Sequence, residues 1–303
     1  MTDTTETAEA GFWTDARRAH AAMLLFATLI SSSFTVGGLI ARAIDPVALT
    51  FWRFVLAGAI FLAIVLATER FKWPSAGELG RYTFIGLLLC IYFALMFEAL
   101  RWTDPLSAGV VFTLIPAMTA VFSFILLAQR TTGRQIFAMA IAGCGAVWVL
   151  FRADIDAMLR FHVGYGEIVF FFGCVSYAAY PVFVRKLHRA ESTAVLTFWS
   201  LATGTALLGV YGFRTIVETD WAAVPAGVYL GIVYLAVFTT AISFFLIKYA
   251  SLRLPGAKVM AYTFLIPALV AVLEGIIGHG WPGPAVIAGV VVTALALVVI
   301  ETG

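Results

Sequence analysis

The sequence predicts an all-α membrane protein whose ten transmembrane helices form two inverted five-helix repeats. Three observations lead to this prediction. Of the 303 residues, 62% are hydrophobic and 12% are charged, well below the roughly 25% charged share of ordinary soluble domains. Apolar stretches of about 20 residues, the length that crosses a bilayer as a helix, recur along nearly the whole chain. Two short motifs also occur twice, in corresponding stretches of the two halves.

The apolar stretches between charged residues, prolines and glycines define the predicted spans. The first repeat, residues 19–151, contains spans at 19–41, 46–68, 79–100, 104–128 and 134–151. The second repeat, residues 164–300, contains spans at 164–184, 193–213, 224–247, 254–278 and 284–300. The separation of the third span from the fourth depends on the short joint at Asp104 and Pro105.

Arginine and lysine residues predict the orientation, because short cytoplasmic loops are enriched in them. Residues 1–18 are acidic, lack the pattern of a secretory signal and are interpreted as a cytoplasmic tail. With the tail inside, the outer side carries few basic residues, namely Arg42, Arg101, Arg152, Arg160 and Arg214. All the others except Arg53 fall on the inner side, so both termini are predicted to be cytoplasmic.

The repeated motifs indicate a duplicated unit. The segment 49–52, Leu-Thr-Phe-Trp, recurs at 196–199, and the segment 114–116, Leu-Ile-Pro, recurs at 265–267. Because each unit has an odd number of spans, the second must cross the membrane in the opposite orientation to the first. Inverted repeats are typical of secondary transporters, which bind substrate between the halves and expose it alternately. The alternative is that duplication only enlarged a helical bundle.

These segments resemble the EamA-type members of the drug/metabolite transporter superfamily along essentially the whole chain. The resemblance rests on Pro46 with the motif at 49–54, on Ala-Leu-Arg-Trp-Thr at 99–103, and on Pro116 and Pro267. The chain departs from many members at 128–130 and 278–280, where a glycine and a glutamate are usual. It is most similar to aromatic amino acid exporters of the YddG type. This likeness implies export of aromatic and other neutral amino acids across the bacterial inner membrane.

Such a substrate requires a cavity that holds an apolar side chain beside charged groups, so aromatic and hydroxyl residues within spans are the candidate ligands. Glycine or proline interruptions at matched places in two halves indicate where a transporter binds its substrate. An aromatic residue in a chain with 15% aromatics is otherwise a packing residue. The predicted substrate-binding residues are Ser32, Phe34, Tyr92, Met96, Thr113, Tyr177, Tyr180, Thr240, Phe244 and Tyr262.

Charged residues within spans are the predicted gate or coupling residues, because a charge in a bilayer is costly. Arg53 is expected either to bind a substrate carboxylate or to have a structural role near the membrane surface. Glu98 could accept a proton or an ammonium group, or pair with Arg101 three residues on. Glu274 could act as a gate or in packing. Lys248, at the end of the eighth span, is interpreted as an interfacial anchor.

Composition also excludes several classes of function. The net charge of +2 is too small and too scattered for nucleic acid binding. The cysteines and histidines show neither metal-ligand spacing nor a catalytic cluster, so no cofactor and no enzyme activity are predicted. The predicted partners are amino acids and the lipid bilayer, as a monomer or a dimer. The alternatives left open are export of other small metabolites or drugs, a channel, and an intramembrane enzyme.

Overall fold

The computed structural model describes residues 3–40, 43–99, 102–103, 105–276 and 281–302, and these residues form helices and turns without any strand. The first half of the chain contains six helices, which are α1 (Asp3–Ile40), α2 (Pro46–Thr68), α3 (Ala76–Ala99), α4 (Pro105–Phe112), α5 (Ile115–Leu127) and α6 (Gly133–Leu150).

The second half has more interruptions. The short helices α7 (Ile155–Leu159) and α10 (Phe213–Glu218) lie in connections, on either side of α8 (Tyr165–Leu187) and α9 (Thr193–Tyr211). A π-helical segment (Leu235–Ile242) joins α11 (Ala226–Tyr234) to α12 (Ser243–Ser251). A 3₁₀ segment (Tyr262–Leu265) joins α13 (Gly256–Ala261) to α14 (Ile266–Ile276), and α15 (Pro284–Thr302) ends the described chain.

Nine helices in the described residues are long and apolar enough to cross a membrane. They coincide with the second to tenth predicted spans, which are therefore confirmed by length and composition. The first predicted span, 19–41, lies largely within α1 and is not among the nine. The count of ten spans, the tail at 1–18 and the repeat boundaries stay predictions. Asp104, half of the predicted joint between spans three and four, lies outside the described residues.

The predicted end of the eighth span is wrong. The sequence interpretation placed that end before Lys248, but the spanning helix continues to Ser251. A charged residue was taken as the membrane boundary, whereas the structure buries its side chain completely among the helices. The short helices α7 and α10 were also missed, because neither has enough residues for a periodic apolar pattern.

Local signals explain where several helices begin. The Asp45 carboxylate accepts hydrogen bonds from the backbone N–H groups of Val47 and Ala48, and Pro46 occupies the first turn of α2. Thr132 and Gln135 exchange hydrogen bonds as a capping box at the start of α6. Both devices satisfy N–H groups that have no partner within the helix. The sequence therefore fixes these two helix starts independently of the membrane.

The helices pack in corresponding pairs across the two halves. α3 packs along α8, and α1 packs along α12. Likewise α5 packs on α8, while α14 packs on α1. Two further pairs pack closely, α2 with α9 and α6 with α15. The two copies of the Leu-Thr-Phe-Trp motif lie within the first two turns of α2 and α9.

Both copies of the Leu-Ile-Pro motif lie where a helix is interrupted. Thr113 and Leu114 form a turn between α4 and α5, and the 3₁₀ segment Tyr262–Leu265 comes directly before α14. Proline has no backbone N–H and is tolerated in the first turn of a helix. Pro116 and Pro267 each occupy this position, so the corresponding spans are broken at corresponding places.

Candidate functional site

Arg53 of α2 lies in the interior between the two halves of the chain, with only 6% of its surface exposed. Its Nε donates a hydrogen bond to Thr240 Oγ1 at 3.2 Å, and its Nη2 donates to Thr240 Oγ1 at 3.1 Å and to Thr239 Oγ1 at 3.2 Å. No hydrogen bond joins Nη1 to a described residue. Arg53 therefore bridges α2 to the π-helical segment and keeps one nitrogen available.

The π-helical segment explains why two consecutive threonines reach the same guanidinium. A π-helix has a wider turn than an α-helix and occurs frequently at functional sites. Here Thr239 donates its own hydroxyl hydrogen to Leu235 O at 3.0 Å and accepts from Arg53. Ser243 donates to Phe238 O, five residues back, at 3.1 Å. The sequence predicts Thr240 as a binding residue but not Thr239, because nothing in the sequence marks a π-helical turn.

Five aromatic side chains and Lys248 form a continuous series of contacts, here called the aromatic ring. The Tyr92 and Tyr177 rings stack with centroids 4.4 Å apart, and Tyr177 is 6.3 Å from Tyr180. On the other side, Tyr92 is 5.0 Å from Phe93, which is 6.3 Å from Phe244. The helices α3, α8 and α12 contribute these residues, and Arg53 lies 5.3 Å from the Phe93 centroid.

Lys248 closes the aromatic ring. Its Nζ lies 5.3 Å from the Tyr180 centroid and 5.4 Å from the Phe244 centroid. The residue is 0% exposed, and Nζ has no hydrogen-bond partner among the described residues. The interpretation of Lys248 as an interfacial anchor is therefore wrong. One sequence signal could have identified it, because Thr240, Phe244 and Lys248 are spaced by four residues and share one helix face.

Polar atoms around the aromatic ring lack partners within the described protein. Buried polar groups in proteins are almost always hydrogen-bonded. Yet Tyr180 Oη and Lys248 Nζ are buried without a hydrogen-bond partner among the described residues. No described carboxylate lies within 4.0 Å of the charged groups of Arg53 or Lys248. The arrangement can bind a ligand that combines an aromatic or apolar body with an anionic, hydrogen-bonding group.

Four other predicted binding residues are not part of this ring. Ser32 Oγ is 2.7 Å from Tyr234 Oη, and Thr113 donates to the Val110 carbonyl at 2.7 Å. Tyr262 Oη is 2.8 Å from His20 Nδ1. Met96 is half-buried and packs against the hydrophobic core. The hydroxyls of Ser32, Thr113 and Tyr262 thus have partners within the protein, and the ring does not include them.

Three predicted residues remain, namely Phe34, Glu98 and Glu274. Glu98, on α3, accepts a hydrogen bond from Trp102 Nε1 at 3.0 Å. Its predicted partner Arg101 lies outside the described residues, as do the side chains of Phe34 and Glu274. Among the predicted set, the structure brings together Arg53, Tyr92, Tyr177, Tyr180, Thr240 and Phe244. It adds Phe93, Thr239 and Lys248, which the prediction did not include.

Helices of membrane-spanning length that surround a buried, charged and aromatic site are the features of a polytopic membrane transporter. The chain belongs to the EamA-like transporter family, whose sequence model matches residues 17–151 and 164–302. The two matched segments agree closely with the two repeats predicted from the sequence.

Related proteins cover most of the chain. The uncharacterized transporter YyaM of Bacillus subtilis is 24% identical over 258 residues, which are 84% of this chain and 85% of the relative. An uncharacterized transporter of Archaeoglobus fulgidus is 21% identical over 260 residues, 84% of this chain and 87% of the relative. One crystal structure, of a protein 22% identical in sequence, matches this fold with a TM-score of 0.73. The match covers 95% of this chain and 96% of the chain in that structure. That likeness shows the fold alone.

Proposed function

We propose that this transporter exports aromatic and other neutral amino acids across the bacterial inner membrane by alternating access. The observation that carries the proposal is the aromatic ring, because it places two cations beside aromatic faces in the protein interior. A substrate carboxylate can bond to Arg53 Nη1 or lie near Lys248. A substrate side chain can stack on the tyrosine faces, since an aromatic pair contributes about 0.5–1.5 kcal/mol beyond its buried area.

The proposal includes ten spans in two inverted five-helix repeats with both termini in the cytoplasm. Two features of the fold support it. The contact of α3 with α8 has its counterpart in the contact of α1 with α12, and the two proline motifs interrupt corresponding spans. Relative rocking of two such halves would open the aromatic ring first to one side and then to the other.

The inverted topology predicts which loops face each side of the membrane. In a variant without Cys90, Cys144 and Cys174, single cysteines would replace the exposed residues Arg70, Arg189, Arg160 and Arg214. In intact cells, a membrane-impermeant maleimide is expected to label positions 160 and 214 but to label 70 and 189 only after permeabilisation. Labelling of 70 and 160 from the same side would contradict the topology.

Transport is tested with purified protein in proteoliposomes. Saturable uptake of labelled phenylalanine and threonine is expected, with little uptake of lysine or a nucleotide sugar. Preference for the nucleotide sugar would overturn the proposal that amino acids are the substrates. Uptake that never saturates would favour a channel. Comparing uptake with and without a pH gradient then decides whether protons drive transport.

Variants at Tyr177 connect that transport to the aromatic ring. Tyr177→Ala is expected to lower the apparent affinity for phenylalanine about tenfold, because it removes the ring that stacks on Tyr92. Tyr177→Phe keeps the ring and is expected to retain most of the affinity. Tyr211→Ala, which removes an exposed tyrosine, provides the matched control. Equal affinities for the Tyr177→Ala variant and the unmodified protein would place the substrate elsewhere.

A further inference from the structure

The charges around the aromatic ring are unbalanced. Arg53 and Lys248 are both buried, and the described residues place no carboxylate within ion-pair distance of either. The two cations also differ in their surroundings. Two threonine hydroxyls accept hydrogen bonds from Arg53, whereas no described residue accepts one from Lys248 Nζ, which lies beside the faces of Tyr180 and Phe244. A buried ammonium group in such surroundings is costly unless an anion accompanies it.

The described carboxylate side chains on the helices that pack against α12 are engaged elsewhere. On α8, Glu167 accepts a hydrogen bond from the Gly164 N–H at 2.8 Å and another from Thr103. On α1, Asp15 is exposed and pairs with Arg18 at 3.6 Å. The sequence of α9 has no charged residue, and α13 has only Lys258. None of these described groups is placed to neutralise Lys248.

We propose that Lys248 is the anion-binding residue of the transport site, and that the site prefers aromatic carboxylates without an ammonium group over zwitterionic amino acids. This inference rests on the proposed function, in that it takes the aromatic ring as the substrate site. A carboxylate would supply the charge that Lys248 lacks and would accept its N–H donors. The ammonium of an amino acid would meet two like charges, and the described residues around the ring offer it aromatic faces and a tyrosine hydroxyl but no carboxylate.

The unpartnered hydroxyl of Tyr180 fits the same ligand. Tyr180 Oη is buried, and its ring is one of the two that face Lys248 Nζ. A phenol can donate a hydrogen bond to a carboxylate. Tyr180 belongs to α8 and Lys248 to α12, and these two helices pack against each other. An anion held at this place would therefore contact both.

Three compounds of similar size separate the charge requirements. Phenylalanine, 3-phenylpropionate and phenethylamine share an aromatic body and differ in carrying both charged groups, only the carboxylate, or only the ammonium. Uptake of each into proteoliposomes is measured at about neutral pH, where these groups are ionised. We expect the apparent affinity for 3-phenylpropionate to exceed that for phenylalanine at least tenfold, with no saturable uptake of phenethylamine. Equal or better affinity for phenylalanine would overturn the inference and leave the proposed function intact.

Variants at Lys248 test the residue itself. Lys248→Gln is expected to reduce the apparent affinity for 3-phenylpropionate at least about 30-fold, and Lys248→Arg to restore part of it. Lys186→Gln, at an exposed lysine of α8, is the matched control. Unchanged affinity in Lys248→Gln would overturn the assignment. Ligand-induced shifts in the melting temperature of the unmodified protein give a second measurement that does not depend on any variant folding. Failure to transport any of the three compounds would instead contradict the proposed function.

Discussion

Replacing Gly86 with valine is expected to destabilise the protein strongly, whereas the same replacement at Gly80 is not. Both glycines belong to α3. A Cβ at position 86 would lie 2.6 Å from the Ser200 carbonyl oxygen and 3.0 Å from the Gly204 nitrogen, both backbone atoms of α9. Backbone atoms of a packed helix cannot move aside singly, so α3 and α9 would have to separate. Overpacking by even small groups costs about 1–3 kcal/mol, and valine adds two further methyl groups.

The Gly80 variant isolates the effect of packing. A Cβ at position 80 would meet no atom within 4 Å, and the helix propensity of valine is the same at both places. The measurement is the melting temperature and the size-exclusion profile of each variant in detergent. Gly86→Val is expected to melt well below the unmodified protein or to aggregate, and Gly86→Ala to fall between. Matching melting temperatures for the two valine variants would show that α3 and α9 do not approach as closely as the structure places them.

The sequence was sufficient to predict most of the helical architecture, since hydropathy depends only on local composition. The spans at 46–68 and 193–213 agree closely with Pro46–Thr68 and Thr193–Tyr211. The repeated motifs also indicated where helices are interrupted, because a proline affects the backbone wherever it occurs. The eighth span was misjudged for a physical reason, as the Lys248 side chain is buried beside aromatic faces rather than exposed, and hydropathy does not distinguish these environments.

The site was harder to predict than the fold. Tyr92, Tyr177 and Tyr180 were identified as aromatic residues at helical spacing, but so was Tyr262, which the structure places beside His20 instead. Which of several tyrosines meet depends on how α3, α8 and α12 pack, and no local pattern encodes that. The π-helical segment is equally invisible in the sequence, although it determines that Thr239 and Thr240 both bond to Arg53.

The second large effect is expected at Arg53. Arg53→Gln removes one of the two buried cations beside the aromatic ring and the donors that bond to Thr239 and Thr240. A charged hydrogen bond from Arg53 Nη1 to a substrate carboxylate would contribute about 1.5–3 kcal/mol, and its loss lowers the affinity for substrate. We therefore expect transport at low substrate concentration to fall at least about 100-fold. Arg53→Lys retains the charge but cannot bond to both threonines in the same planar geometry, so it is expected to recover only part of the loss.

A substitution at Thr240 separates the effect of the Arg53 charge on transport from the effect of its hydrogen bonds. Thr240→Val keeps the size of the side chain and the charge of Arg53 but removes the acceptor of two of its hydrogen bonds. If Arg53 acts mainly through its charge, this variant should lose much less transport than Arg53→Gln. Arg214→Gln, which removes an exposed arginine paired with Glu218, is the matched control and should leave transport unchanged. Initial rates over a range of substrate concentrations make the comparison. A normal rate for Arg53→Gln would show that Lys248 alone provides the positive charge of the site.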